Sequence, residues 1–314
     1  MKKKIIQFVL VVCIGLAGIT LIQKYQLVGR VIAAPALSTQ PSEKMDKTLL
    51  PEISAFDKGT IGRGEYRRLV HMYGDSIARG RDGEAYPSPL NRIQDIANIL
   101  LAENGYAPEE LFVRCPYSQD IEKMRTELAS GIIDDGDTIV YEDAGPHEND
   151  VIARRQRFQS IKRVVKESGR KVSLVFTTIF DYCGQACRGA TEYDALIGTS
   201  GLTMNDVVRS ATSDGFCSLW DWNKEMDEAV LKLGRFEVSP IYSDGIHPNV
   251  FGNLVLASSL LNHIGIPVKR YDMILDEFQK LLNNDNFIEK IRLDSQQLDE
   301  LVDIIMKSAL PAGV

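Results

Sequence analysis

Between Leu69 and Ile266, short runs rich in aliphatic, aromatic and β-branched residues alternate with stretches whose apolar residues recur three and four apart. This alternation restricts the fold more than any other feature of the chain. Leu69 to Tyr73, Leu111 to Cys115, Thr138 to Tyr141, Val172 to Ile179 and a weaker Phe236 to Tyr242 read as strands. Leu90, Ile93, Ile96, Ile99 and Leu100, then Ile121, Met124 and Leu128, then Ile161, Val164 and Val165 read as crossover helices. Alternating βα units imply a mostly parallel sheet covered by helices on both faces, with ligands held outside the carboxyl ends of the strands.

Outside that region the chain changes character. Lys2 to Lys4 precede Ile5 to Ile22, an uncharged stretch of about eighteen residues, close to the roughly 20 that a helix needs to cross a bilayer. The lysines lie before the apolar run, so the positive-inside bias leaves everything from Lys24 onward outside the cytoplasm, periplasmic or extracellular. Residues 1–23 are read as a membrane anchor or signal segment. Ala34-Pro35-Ala36 has the small-x-small pattern of a cleavage site but lies well past the apolar run, which favours an uncleaved anchor over a secreted protein. Cys13 belongs to the apolar run, since Val12 stands where a lipoprotein would carry a small residue. Residues 24–64 lack a sustained period and read as a stalk. The folded domain spans 65–266, and residues 267–314, with Tyr271 to Leu282 and Leu293 to Leu310 amphipathic, form a helical C-terminal appendage packed on it.

Asp and Glu, 43 in number, exceed the 36 Lys and Arg, and no basic cluster follows the first four residues. Duplex binding draws its affinity from cations on phosphates, so nucleic acid is excluded as a partner. One long apolar run excludes a polytopic membrane protein. Apart from Cys13 there are four cysteines, Cys115, Cys183, Cys187 and Cys217. In an oxidising compartment they permit two disulfides in any of three connectivities, and Cys-x3-Cys without a second clustered pair makes a poor zinc site.

The chemistry-bearing residues lie at the ends of the domain. Tyr73-Gly74-Asp75-Ser76 follows the first strand directly, which puts Ser76 at a carboxyl end as a nucleophile or, on the plainer reading, as the cap of the next helix. Asp244-Gly245-Ile246-His247-Pro248-Asn249, before an amphipathic helix starting near Val250, tips the balance. A serine hydroxyl needs a base to take its proton, and a carboxylate on the far ring nitrogen fixes the histidine's tautomer. Ser76, His247 and Asp244 supply these three roles.

Together, Gly74-Asp75-Ser76 and Asp244-x-x-His247 with Pro248 resemble the first and last motifs of the SGNH (GDSL) hydrolases, in the same order and over roughly residues 66–265. The resemblance implies a flavodoxin-like three-layer α/β/α domain with a parallel sheet of about five strands, and an acyl-serine mechanism without cofactor or metal. It also implies an oxyanion hole made by the amide of Ser76, a backbone amide after the second strand and an asparagine after the third. Cys115-Pro116-Tyr117-Ser118-Gln119 lacks the family's glycine, so Ser118 is the positional candidate. Asn149, four residues after Gly145 rather than two, is the candidate asparagine, with helix capping as its alternative.

The remaining candidates are weighed in the same way. His147 is a substrate contact or a solvated loop residue. His71 and His263 are structural, and Asn205-Asp206 is a helix cap that imitates the family's Asn-Asp pair. Glu142 and Asp143 are adjacent on a strand and point to opposite faces, which argues against a catalytic carboxylate pair. The resemblance implies as substrate an O-acyl, foremost O-acetyl, ester on a carbohydrate or small molecule. Two alternatives stay open: transfer of the acyl group to a glycan hydroxyl, and a membrane-tethered glycan-binding protein without turnover.

Overall fold

A computed structural model of the 314-residue chain describes residues 63, 66–79, 89–116, 118–143, 151–179, 202–233, 247–283 and 293–308. The described strands are β1 (Leu69–Tyr73), β2 (Phe112–Arg114), β3 (Thr138–Glu142), β4 (Ser173–Thr177) and β5 (Ser218–Trp220). They form a five-stranded sheet in the order β2-β1-β3-β4-β5, every neighbouring pair parallel. β1 and β3 are buried along their whole length, as strands covered on both faces must be. This is the doubly wound α/β arrangement expected of the chain. The connection from β1 runs outward to β2 and that from β3 runs the other way to β4, so a crevice opens between the carboxyl ends of β1 and β3.

The crossovers are α1 (Ser76–Arg79), a 3-10 turn (Pro89–Asn91), α2 (Ile93–Glu103), α3 (Ile121–Ser130), α4 (Val151–Glu167) and α5 (Met204–Ala211); α6 (Trp222–Leu233) and α7 (Val250–His263) follow β5, the last described strand. One core, which includes Val70, Met72, Val113, Val140 and Val175 of the sheet, packs against α2, α6 and α7. The other, with Ile139, Tyr141, Leu174 and Phe176, packs against α3, α4 and α5. Thr203 and Asp206 form a reciprocal capping box at the start of α5.

One expectation changes, that of an amphipathic α7. The fifth described strand is Ser218–Trp220, whereas Phe236 to Tyr242 lies outside the described residues. α7 is not amphipathic: residues 250–261 are all buried, because the chain beyond it covers the face that would otherwise meet water. That cover is α8 (Asp272–Leu281) and α9 (Ser295–Ser308), whose Ile274, Phe278, Leu298, Leu301 and Ile305 belong to the same core as the sheet. Phe278 stacks on Phe251 of α7 with ring centres 5.2 Å apart.

Cys115 and Cys217 are both buried and are not joined to each other. They lie in the cores on opposite faces of the sheet, next to strands at its opposite edges. The Cys217 thiol donates to the Ala211 carbonyl at 3.7 Å, and burial pushes it up to about 11. Cys183 and Cys187, like the apolar stretch 5–22, lie outside the described residues. Among the described residues no helix is long and apolar enough to cross a membrane.

Candidate active site

The carboxyl end of β1 runs straight into a turn. Asp75 Oδ1 accepts the Ile77 amide at 3.0 Å, so Asp75 rather than Ser76 caps α1. The Ser76 hydroxyl is thereby left for another partner, and that partner is His247, whose Nε2 lies 2.9 Å from Ser76 Oγ although 171 residues separate the two. The hydroxyl donates to the ring nitrogen when the histidine carries its proton on Nδ1. Both residues are part-buried, neither sealed in the core nor fully in water. His247 is held two residues before Asn249, the cap of α7, whose Oδ1 accepts the amides of Phe251 and Gly252 at 3.0 and 3.2 Å.

The loop after β2 reaches the same place. The Gly74 amide donates to the Ser118 carbonyl at 3.1 Å, which sets Ser118 beside the turn that carries Ser76. Ser118 Oγ accepts the Asp120 amide at 2.9 Å and helps to start α3. Gln119 Nε2 donates to the Glu142 carbonyl at 3.2 Å, and Tyr141 Oη donates to the Gln119 carbonyl at 3.1 Å, so the ends of β2 and β3 are tied together.

Glu142 and Asp143 diverge, as their places on the strand require. Glu142 is fully buried and turns toward β1, its Oε2 accepting the Asp75 amide at 3.0 Å. Burial first, and the Asp75 carboxyl second, hold it well above the usual carboxylate range. Asp143 faces α4: its carbonyl accepts Arg154 Nη1 at 2.7 Å, and its carboxylate pairs with Arg154 at 3.2 Å and with Arg157.

The other histidines are structural in their surroundings. His71 is fully buried in β1 and meets Asp137 Oδ2 at 3.0 Å, and His263 Nε2 meets Ser218 Oγ at 3.0 Å beside the Trp220 ring. Asp206 is a cap, as expected. Asn205, read with it as a cap, instead bonds both the amide and the carbonyl of Ile179 at 2.9 and 2.8 Å and so braces the exit of β4. Asp244, His147 and Asn149 lie outside the described residues. Among the described residues no cluster of histidine, cysteine and acidic side chains is arranged to hold a metal ion. Sequence reasoning missed the place of Glu142 at the turn. Its one local signal is an acid continuing a strand that is otherwise apolar.

No family model and no curated protein matches the chain. Solved structures are similar at low identity. A protein described as a GDSL-like lipase from Parabacteroides merdae is 16% identical, covers 64% of this chain and 96% of its own, and gives a TM-score of 0.44. An acetylxylan esterase from Geobacillus stearothermophilus is 18% identical over 67% of this chain and 98% of its own, with a TM-score of 0.41. A member of the lipolytic G-D-S-L family from Veillonella parvula is 14% identical over 62% and 97%, with a TM-score of 0.38.

Proposed function

We propose that the chain is a serine esterase of SGNH type that hydrolyses an O-acyl ester through an acyl-serine intermediate. The hydrogen bond between Ser76 Oγ and His247 Nε2 at the carboxyl end of the sheet carries this reading. A serine paired with an imidazole, part-buried at a switch point, is the arrangement an acyl-transfer nucleophile needs.

Ser76 Oγ attacks the ester carbonyl carbon as His247 Nε2 takes its proton. The tetrahedral intermediate collapses, the carbon–oxygen bond to the alcohol breaks, and His247 returns the proton to the departing oxygen. Water then attacks the acyl-serine, giving its proton to His247, and the acid leaves as Ser76 regains a hydrogen. Asp244 orients His247 in this scheme. The amides of Ser76 and Ser118 and the Asn149 side chain receive the oxyanion, where loss of one donor typically costs about 10²–10³ in kcat. None of these steps uses a metal or cofactor.

The resemblance to SGNH hydrolases supports an acetyl group on a carbohydrate or small ester as substrate, and the position of His147 in the sequence after the third strand supports it as a contact. The lysines before the apolar run support a catalytic domain outside the cytoplasm, tethered by residues 1–23 on the stalk 24–64. Protease treatment of intact cells checks that side: a domain that survives until the cells are opened would contradict it.

The test of the reaction is turnover of an aryl acetate and of acetylated oligosaccharides by purified full-length protein, with products followed in the presence of a free glycan. Acetate released in proportion to substrate consumed supports hydrolysis. Acetyl appearing on the added glycan reassigns the protein as a transferase. A folded protein that turns over no ester contradicts both and leaves the binding-protein alternative.

A further inference from the structure

Three strand ends meet at one buried carboxyl. Glu142 Oε2 accepts the amide of Asp75 at 3.0 Å and so holds the main chain directly before Ser76. The Glu142 carbonyl holds Gln119, and the neighbouring Ser118 carbonyl holds the Gly74 amide. A Cβ on Gly74 would fall onto Glu142 Oε2 and against Ala78 Cβ, so the close approach is open only to glycine. In the reaction scheme above every proton passes through His247, and Glu142 has no part in it.

We propose that Glu142 is a positioning residue, a buried clamp that fixes the turn around Ser76 and so aims its Oγ at His247 and its amide at the oxyanion. The inference rests on the reading of Ser76 as the nucleophile. The clamp acts in its neutral form: burial and the adjacent Asp75 carboxyl disfavour the charge, and Oε1 has no hydrogen-bond partner among the described residues to support it. A neutral carboxyl accepts the Asp75 amide without setting a second negative charge beside the oxyanion, where it would oppose attack. A lysine or histidine there would donate instead of accept, and an aspartate would be one methylene short.

The test compares Glu142→Leu, which keeps volume and removes every polar contact, with Glu142→Gln, which keeps a neutral acceptor. Both are made in the full-length protein. Saturation kinetics of fluorophosphonate labelling separate the reaction step from probe binding, and hydrogen exchange reads the Asp75 amide. The expected result is that Leu slows the labelling step by about 10²-fold with probe binding within about threefold, and speeds exchange of the Asp75 amide by about tenfold or more. Gln recovers both readouts to within about fivefold of the parent. Leu labelling at the parent rate, unchanged exchange, or Gln no better than Leu would each overturn the inference. Should Leu fail to fold, Gln decides alone: rate and protection near the parent uphold the clamp, and a loss of about 10² refutes it. A folded parent that does not label defeats the esterase reading instead, and exchange then still decides whether Glu142 holds the turn.

Discussion

At the amino-terminal end of the sheet, the buried Asp137 carboxylate is met by partners; at the carboxyl-terminal end, Glu142, unlike Asp143 with its two arginines, has no paired cation among the described residues, and a part-buried Ser76–His247 pair is left to react. Asp137, directly before β3, accepts the amides of Leu69 and Asp134 at 2.8 and 2.9 Å, His71 at 3.0 Å and both terminal nitrogens of Arg63. Burial alone would raise Asp137, but the hydrogen bonds from His71 and Arg63 outweigh it and hold the carboxylate below its usual value. His71 is pulled below 6.5 by burial, against the opposing pull of Asp137. Glu142, five residues along the chain from Asp137, accepts one amide through its carboxyl, has no paired cation among the described residues, and is held up instead. A histidine–carboxylate contact is therefore no mark of a site in this fold. What separates His247 from His71 is a hydroxyl partner and access from outside the core.

That contrast can be broken in order of expected effect. Ser76→Ala and His247→Ala should each lower kcat for an ester by on the order of 10⁴–10⁶ while leaving the urea midpoint near that of the parent. Asp137→Ala should do the reverse, costing about 3–5 kcal/mol in urea unfolding by stranding Arg63 and two amides, with the folded fraction keeping kcat within about threefold. If Asp137→Ala silenced a stably folded enzyme, the two ends would not be separable. Gly74→Ala should cost about 1–3 kcal/mol through overpacking against Glu142 and Ala78, and also slow turnover, because this collision lies under the nucleophile.

The smallest effects are in pH dependence. His71 has a depressed folded-state value, so its contribution is present above 6.5 and drains away as pH falls through that value toward the folded one. Glu142 has a raised value, so stability is full below 4.5 and declines as pH rises toward the folded value. Melting temperatures between pH 4 and 9 should show His71→Gln blunting the loss on the acid side and Glu142→Gln lifting the neutral and alkaline side. Parallel curves for parent and variants would contradict both assignments.

Much of the frame is legible locally. β1 is Leu69–Tyr73 as its apolar run dictates, and α4 and α7 start at Val151 and Val250 where the loop residues before them end. β5 is not legible, since Ser218–Trp220 is three residues at a sheet edge with only Trp220 buried, too short to show a period. The Ser76–His247 contact could be expected because each residue sits in a motif with a shape of its own. Glu142 could not, because its role exists only once strand ends 67 residues apart are laid side by side. The burial of α7 likewise depends on helices that arrive after it in the chain.

The most direct measurement of the central claim is fluorophosphonate labelling of the full-length protein beside Ser76→Ala and His247→Ala, all three checked for folding. An activated Ser76 gives labelling of the parent at a single serine, no labelling of Ser76→Ala, and a rate at least about 10³-fold lower in His247→Ala. Labelling that survives loss of His247, or a folded parent that never labels, would contradict an activated Ser76.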